Sequence, residues 1–250
     1  MTPVTHLTES DAAEHAGNKQ VLELRTYALV DRAAEAILDR YLEHALVPAL
    51  SRQGLGPIGV FDQAEGADGN PEVMLLVPGP SVEAVTAATA KLATDSEYLK
   101  AAKDYLEIQY KQPIIKRIRS ELLMSFDCWP QVVIPKQQVA GKPRLFELRI
   151  YESATEHAGE TKVDMFNSGE VPIFLDSGIA PVFMGQALIG EKMPNLTYMT
   201  VYDNDAARGA AWKTFVEHPD WHKLKAVKKY QDTVSKIHKS DWVPKSYSQL

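Results

Sequence analysis

The chain has 250 residues, 45 % of them hydrophobic and 24 % charged, and this composition is typical of a globular protein. The net charge of −6 argues against nucleic acid as a partner, because proteins that bind nucleic acid usually carry a basic patch. The single cysteine, Cys128, excludes an intrachain disulfide and a CxxC metal pair. No apolar run approaches the roughly 18 residues of a membrane-spanning helix, so we expect no membrane partner.

Residues 1–20 are polar and acidic, and they lack the basic start and apolar core of a secretion signal. We predict that they form a disordered leader and that the protein is cytoplasmic. A single cysteine also suits a reducing compartment.

After the leader, strand-like and helix-like segments follow one another up to residue 127. The predicted elements are, in chain order, a strand at 21–28, a helix at 32–53, strands at 58–63 and 73–77, a helix at about 81–108 and a strand at 121–126. Pro48 should end or kink the first helix near its last turn. Gly66, Asp68, Gly69 and Asn70 suit the turn of a hairpin between the two middle strands.

The same order of segments recurs in residues 144–250. The run Val21-Leu-Glu-Leu-Arg-Thr-Tyr27 matches Leu145-Phe-Glu-Leu-Arg-Ile-Tyr151, 124 positions later (145 − 21). The second copy is predicted to have strands at 145–151, 182–189 and 196–202, and helices at 160–176 and about 206–237. Residues 128–143, which include three prolines, are predicted to be a linker between domains at 21–127 and 144–250. We therefore expect a tandem duplication.

The element order β-α-β-β-α-β is that of the ferredoxin-like unit, whose sheet carries two helices on one face. The other face needs a cover, and two fused copies can cover each other. The predicted fold class is α+β, with tandem ferredoxin-like repeats that form an intrachain dimeric α/β barrel.

Several segments of the second copy resemble the second domain of bacterial NIPSNAP proteins, a family of the dimeric α/β-barrel group. They are Phe146-Glu-Leu-Arg-Ile-Tyr151, Met165-Phe-Asn-Ser-Gly-Glu170, Pro181-Val-Phe-Met-Gly185, Pro194-Asn-Leu-Thr-Tyr-Met199 and Ser246-Tyr-Ser-Gln-Leu250. The turn Pro219-Asp-Trp221 resembles, in altered order, the Asp-Pro-x-Trp feature of these barrels. The resemblance covers about residues 21–250, is stronger in the second copy, and implies a fold rather than an activity.

Alternation along the first strand of each copy separates an apolar from a polar face. We expect the apolar set (Leu22, Leu24, Phe146, Leu148 and Ile150) to pack under the helices. The polar set should then line the barrel interior; it contains Glu23, Arg25, Tyr27, Glu147, Arg149 and Tyr151. Two interpretations stay open. Either these residues pair with one another as a polar core, or an Arg anchors an anionic or carbonyl group of a ligand while a Tyr donates a hydrogen bond.

A third strand adds asymmetry to this face. Tyr198 and Thr200 of the second copy fall opposite Met74 and Leu76 of the first. A single pocket near the second copy is therefore more plausible than two equal ones. The candidate ligand-binding residues are Arg25, Tyr27, Glu147, Arg149, Tyr151 and Tyr198.

For the other side chains that could be reactive, the sequence favours structural roles. His218 and His222 have metal-ligand spacing, but Pro219 should make His218 a helix cap, and no metal is predicted. Glu170 is expected to face solvent and Cys128 to be a buried structural thiol. The nucleotide, P-loop, hydrolase and zinc-protease motifs are absent, so no cofactor is expected; haem would need a histidine on the polar face.

Two functions remain in competition. The first is a NIPSNAP domain protein that binds a small molecule in the barrel interior, with cofactor-free monooxygenase-like chemistry as one form it could take. The second is a non-catalytic binding or scaffold protein with a packed interior. The sequence leaves open whether the protein is an enzyme and which ligand it takes, and it allows a homo-oligomer.

Overall fold

The computed structural model describes residues 19–64 and 70–250, and it shows a mixed α+β fold. Its strands are β1 (Val21–Leu29), β2 (Gly59–Gln63), β3 (Glu72–Gly79), β4 (Ile115–Ser125), β5 (Leu145–Glu152), β6 (Ala180–Ile189), β7 (Asn195–Tyr202) and β8 (Lys236–Pro244). Residues 1–18 of the predicted leader and Gly66, Asp68 and Gly69 of the predicted hairpin turn lie outside the described residues. Gln20, also assigned to the leader, donates its backbone N–H to the Pro130 carbonyl at 2.9 Å.

The helices follow the predicted order but are more broken than the sequence suggests. They are α1 (Ala33–Tyr41), α2 (Val47–Arg52), α3 (Val82–Leu92), α4 (Ser96–Ala101), α5 (Lys103–Leu106), α6 (Lys136–Val139), α7 (Glu156–Met165), α8 (Val171–Asp176), α9 (Asp205–Glu217) and α10 (Pro219–Lys225). Pro219 starts α10 and thereby divides the helix that we predicted over 206–237. The linker also contains a short helix, α6, so it is structured. The domain boundaries at 127 and 144 stay a prediction.

The eight strands form one closed antiparallel barrel in the order β1-β3-β2-β8-β5-β7-β6-β4. The first half of the chain, β1 to β4, and the second half, β5 to β8, are joined where β2 pairs with β8 and where β4 pairs with β6. The β-α-β-β-α-β order therefore occurs twice and closes into one barrel, which confirms the predicted fold class.

A π-helical turn joins the two helices that follow the first strand of each half. It spans Leu42–Leu46 in the first half and Phe166–Glu170 in the second. Pro48 lies just after the first of these turns, near the start of α2, where its missing N–H is tolerated. Pro48 therefore lies where the regular helix is interrupted by the π-helical turn, and the helical run ends four residues later at Arg52.

Each half sends a terminal segment across onto the other half. In the first half this segment follows β4, and the backbone N–H of Val133 donates to the Val182 carbonyl at 2.9 Å. In the second half it follows β8, and the hydroxyl of Ser248 accepts from the backbone N–H of Val60 at 3.0 Å. These segments place Val132 and Leu250 in the apolar core inside the barrel.

The barrel interior is apolar, and this reverses our assignment of the strand faces. Leu22, Leu24, Phe146 and Leu148, which were expected under the helices, belong to the cluster inside the barrel. The same cluster contains Phe61, Met74, Leu76, Leu123, Val182, Phe183, Ala187, Met199, Val201 and Trp242. The polar set of each half instead faces its own helices: Tyr27 packs with the helical core of the first half, and Tyr151 with that of the second.

Candidate functional site

The Glu-x-Arg-x-Tyr segment forms the same hydrogen bonds in both halves. In the second half, the Arg149 guanidinium donates to Glu147 at 2.8 and 3.2 Å and to the Tyr151 hydroxyl at 3.4 Å. In the first half, Arg25 donates to Glu23 at 2.8 and 2.9 Å and to Tyr27 at 3.4 Å. Because the motif has the same geometry in both halves, it does not by itself distinguish the second half from the first.

The second half adds Trp212, which α9 places on the Arg149–Glu147 pair. The guanidinium carbon of Arg149 lies 3.5 Å from the centroid of the Trp212 ring. The indole N–H of Trp212 donates to Glu147 Oε2 at 2.9 Å. Burial lowers the pKa of Arg149, but Tyr198 and the hydrogen bond to Glu147 raise it more, so the net pKa lies above its ordinary value. The Arg149 guanidinium therefore stays positively charged.

Arg208 is a second cation from α9, and three carboxylates surround it. It forms ion pairs with Asp205 and Asp241, and its Nη1 lies 4.0 Å from Glu147 Oε1. Burial lowers the pKa of Arg208, while Asp241 and Asp205 outweigh this and raise it. Arg208 links the helix to β8 through Asp241 and to β5 through Glu147.

These groups line a cleft of about 720 Å³ beside α9, which we call the α9 cleft. Six charged side chains, three acidic and three basic, reach it. The lining residues are Glu147, Arg149, Asp205, Arg208, Lys239 and Asp241, together with Gln63, Ala64, Gly209, Trp212 and Ser240. The volume falls in the range of typical small-molecule sites.

The first half has different residues at the equivalent positions. Asn204 caps α9 as Ser81 caps α3, and counting from these caps places Trp212, Arg208 and Asp205 opposite Thr89, Val85 and Val82. In the last strands, Lys239 pairs with Arg149 and Ser120 pairs with Arg25, so Lys239 is equivalent to Ser120. Trp212, Arg208, Asp205 and Lys239 are thus specific to the second half, whereas Glu147 and Arg149 of the α9 cleft have first-half equivalents in Glu23 and Arg25.

The predicted site residues are divided between the two halves. Glu147 and Arg149 lie on the floor of the α9 cleft, whereas Arg25 and Tyr27 lie under the helices of the first half. Tyr151 and Tyr198 are buried behind the cleft, and their hydroxyl oxygens are 2.8 Å apart. Burial raises the pKa of both tyrosines. None of these residues lines the barrel interior, so the predicted location of the pocket is wrong.

Tyr198 is not equivalent to Met74, as the sequence comparison suggested. Tyr198 pairs with Arg149, and Leu75 pairs with Arg25, so the first-half equivalent of Tyr198 is Leu75. The number of positions between equivalent residues of the two halves is therefore smaller by one in this strand than in the first strand. The predicted asymmetry between the halves is nevertheless present, with a tyrosine hydroxyl in the second half where the first has a leucine.

His218, Cys128 and Glu170 lie outside the α9 cleft. His218 caps α10 through Nδ1, which accepts from the Asp220 N–H at 3.2 Å, as predicted. Burial raises the pKa of Cys128 to about 12, in agreement with a structural thiol. Glu170 was expected to face solvent but is buried against Lys162, so this prediction is wrong.

Sequence reasoning missed Trp212, Arg208 and Lys239, because they come from elements far along the chain from the strand that carries the motif. A usable signal was present. In the aligned copies, these three positions change from Thr89, Val85 and Ser120 to larger or charged residues. Comparing the copies for differences, rather than for shared residues, would have found them.

The sequence of the second half matches a known family. The family model described as NIPSNAP matches residues 146–249. The second half of the chain is a NIPSNAP domain. This confirms the resemblance for β5 to β8 and the segment after β8, while the match does not include the first half. A comparison with curated protein sequences finds no match.

Solved structures share the fold of the NIPSNAP domain and the half that precedes it. A monooxygenase-like protein from Fusobacterium nucleatum is 6 % identical, with a TM-score of 0.55 over 91 % of this chain and 93 % of that chain. One from Lactobacillus acidophilus is 9 % identical, with a TM-score of 0.55 over 91 % and 94 %. An anthrone oxidase-like protein is 11 % identical, with a TM-score of 0.51 over 92 % and 93 %. At these identities the likeness shows the fold alone, and monooxygenase-like chemistry stays a prediction.

In residues 19–64 and 70–250, no group of three or more His, Cys, Asp or Glu side chains is placed to hold a metal ion. No helix in this part of the chain has the length and apolar character needed to cross a membrane.

Proposed function

We propose that this protein binds a small polar molecule in the α9 cleft of its NIPSNAP domain. The observation that carries the proposal is the contrast between the halves at the positions that line the cleft. Trp212, Arg208 and Lys239 replace Thr89, Val85 and Ser120, and all three reach the same cleft. A purely structural role would not require these changes, because the first half forms its sheet and helices without them.

The cleft offers both donors and acceptors to a ligand. A guanidinium group carries five N–H donors, and Arg149 uses one each from Nε, Nη1 and Nη2 for Glu147 and Tyr151. The remaining N–H groups on Nη1 and Nη2 suit a carbonyl or carboxylate oxygen at the floor. Asp205 and Asp241 can accept from an amine or hydroxyl of the same molecule. The charges therefore favour a ligand that carries both kinds of group.

The barrel itself supports this site as a scaffold. Its interior is filled by apolar side chains such as Leu148, Met199 and Phe183, each at most 7 % exposed. A binding function and a packed interior, the two alternatives that the sequence leaves open, are thus compatible. The ligand belongs between α9 and the sheet, while the interior holds the two halves together.

Native mass spectrometry of the purified protein tests the proposal, followed by thermal-shift screening against a panel of small carboxylates and amino acids. We expect a compound that binds the wild type to lose at least about tenfold in affinity in Lys239→Ser, which carries the first-half residue. Lys236→Ser removes an exposed lysine from the same strand outside the cleft, and it should bind as the wild type does. Equal binding by all three proteins would refute the proposal.

A further inference from the structure

In the first half of the chain, one arginine joins the helices α2 and α4. Arg52, the last residue of α2, donates from Nη2 to Asp95 at 2.8 Å and from Nη1 to Glu97 at 2.7 Å. Asp95 caps α4, and Glu97 lies in its first turn. The backbone N–H of Tyr98 and the Arg52 guanidinium lower the pKa of Asp95. A planar cation therefore bridges two carboxylates of α4.

The second half has the opposite charge at the position of this arginine. The π-helical turns Leu42–Leu46 and Phe166–Glu170 correspond, so Arg52 at the end of α2 is equivalent to Asp176 at the end of α8. Among the residues that the structure describes, no basic side chain forms an ion pair with Asp176. The second half thus lacks the cation that bridges the two helices in the first half.

A carboxylate on the facing helix is kept. His218 caps α10 as Asp95 caps α4, so Asp220 is equivalent to Glu97. Asp220 accepts a hydrogen bond from the Lys223 ammonium at 2.8 Å, and this bond lowers the pKa of Asp220. Both side chains of the pair are exposed, and such surface pairs are weak. Asp220 can therefore accept from a second cation.

The two carboxylates line an apolar groove between α8 and α10, which we call the α8–α10 groove. Its volume is about 460 Å³. The other lining residues are Gly169, Pro172, Ile173, Leu224 and Val227, together with His218 and Lys223. Ile173 and Leu224 occupy the positions of Ala49 and Ala101, so the second half has larger apolar side chains here. Compared with the first half, this surface has lost a cation and gained apolar area.

We infer that the α8–α10 groove is a second binding site, for a small organic cation with a guanidinium or amidinium head and an apolar body. The head donates to Asp176 and Asp220, as Arg52 does to the two carboxylates of α4. The apolar body packs on Ile173 and Leu224. A planar head with several N–H donors matches the geometry of carboxylates, whereas an anionic ligand would be repelled by them. The site is independent of the α9 cleft, because no residue lines both cavities.

Calorimetric titration of the full chain with benzamidine tests the inference, because this compound joins an amidinium head to a phenyl ring. We expect saturable binding to the wild type and a loss of at least about tenfold in affinity in Asp176→Asn. Benzamide has a similar shape without the charge, and it should bind at least about tenfold more weakly. Asp176→Arg carries the first-half residue, whose guanidinium should pair with Asp220. This variant should lose benzamidine binding and melt at a higher temperature than the wild type.

The matched control is Glu217→Gln, which removes an exposed carboxylate from α9 outside both cavities and should bind benzamidine as the wild type does. Asp176 is exposed as well, so its variants should fold. A wild type that does not bind benzamidine would overturn the inference. Wild-type affinity in either Asp176 variant would also overturn it, as would equal losses in Asp176→Asn and Glu217→Gln or equal affinities for benzamide and benzamidine.

Discussion

The guanidinium of Arg149 is stacked on the indole ring of Trp212, with 3.5 Å between the guanidinium carbon and the ring centroid. The same indole donates its N–H to Glu147, the carboxylate that pairs with Arg149. Trp212 therefore holds both members of a buried ion pair and forms one wall of the α9 cleft. Thr89, its first-half equivalent, has neither the ring nor the indole N–H needed for these contacts.

Replacing Trp212 with phenylalanine keeps an aromatic ring but removes the hydrogen bond to Glu147. A hydrogen bond to a charged group is worth about 1.5–3 kcal/mol, and we expect a loss of that size in the free energy of unfolding, measured in urea. Trp242→Phe is the matched control, because its indole N–H donates to the neutral Ser240 hydroxyl at 2.8 Å and should cost about 0.5–1.5 kcal/mol. Equal losses would show that the charge on Glu147 contributes nothing.

The Arg149–Glu147 pair should behave as a unit in unfolding experiments. Arg149→Leu leaves a buried carboxylate without its main partner, and breaking a buried pair in this way typically costs about 3–5 kcal/mol. Adding Glu147→Leu should recover most of this loss. A double variant as unstable as the single one would mean that the leucines, rather than the stranded charge, cause the damage.

For the buried Lys162–Glu170 pair, we predict that replacing both residues does not lower the free energy of unfolding. Lys162→Leu alone should destabilise by about 3–5 kcal/mol, whereas Lys162→Leu/Glu170→Leu should be neutral or stabilising by about 1–4 kcal/mol. The reason is that two buried leucines, Leu38 and Leu46, fill the same positions in the first half, because the π-helical turns Leu42–Leu46 and Phe166–Glu170 correspond. Denaturation in urea, monitored by fluorescence, measures both. A double variant less stable than the single one would contradict this view of the pair.

The same pair should make the stability depend on pH. Because the folded-state pKa of Glu170 is raised, the folded protein holds a proton that the unfolded chain releases near pH 4.3, roughly the ordinary glutamate value. The contribution of Glu170 to stability therefore decreases as the pH rises from about 4.3 through the raised folded-state pKa. The difference in the free energy of unfolding between Lys162→Leu/Glu170→Leu and the wild type should therefore grow over this pH interval and then level off. A constant difference between the two proteins would rule out a raised pKa for Glu170.

The sequence was sufficient for the element order and the barrel, but not for the direction of the strand faces. Alternation shows that Leu22 and Leu24 share one face and Glu23 and Arg25 the other. It does not show which face meets the helices, because both faces of this sheet are buried. The apolar face lies inside the barrel, where its side chains need no hydrogen-bond partner. The polar face went under the helices, where Trp212 supplies a hydrogen bond from a distant helix.

Substitutions at two glycines should change stability in opposite directions, one in the α9 cleft and one where the strands of the two halves pair. Gly209 lies inside α9 with no atom within 4 Å of an added Cβ, so Gly209→Ala should stabilise by about 1 kcal/mol and weaken binding in the cleft. Gly185 lies where β6 meets β4, and an added Cβ would be 2.9 Å from the Leu123 Cβ. Gly185→Ala should cost about 1–3 kcal/mol. Thermal unfolding of both variants checks this, and two changes of the same sign would be inconsistent with it.

The central claim is that the ligand site lies in the α9 cleft of the second half, outside the barrel. A crystal structure of the protein with a compound found by the binding screen tests it most directly. We expect the compound beside Arg149, Trp212 and Lys239. Electron density for it inside the barrel, among Leu148 and Met199, or under the helices of the first half beside Arg25, would contradict the claim.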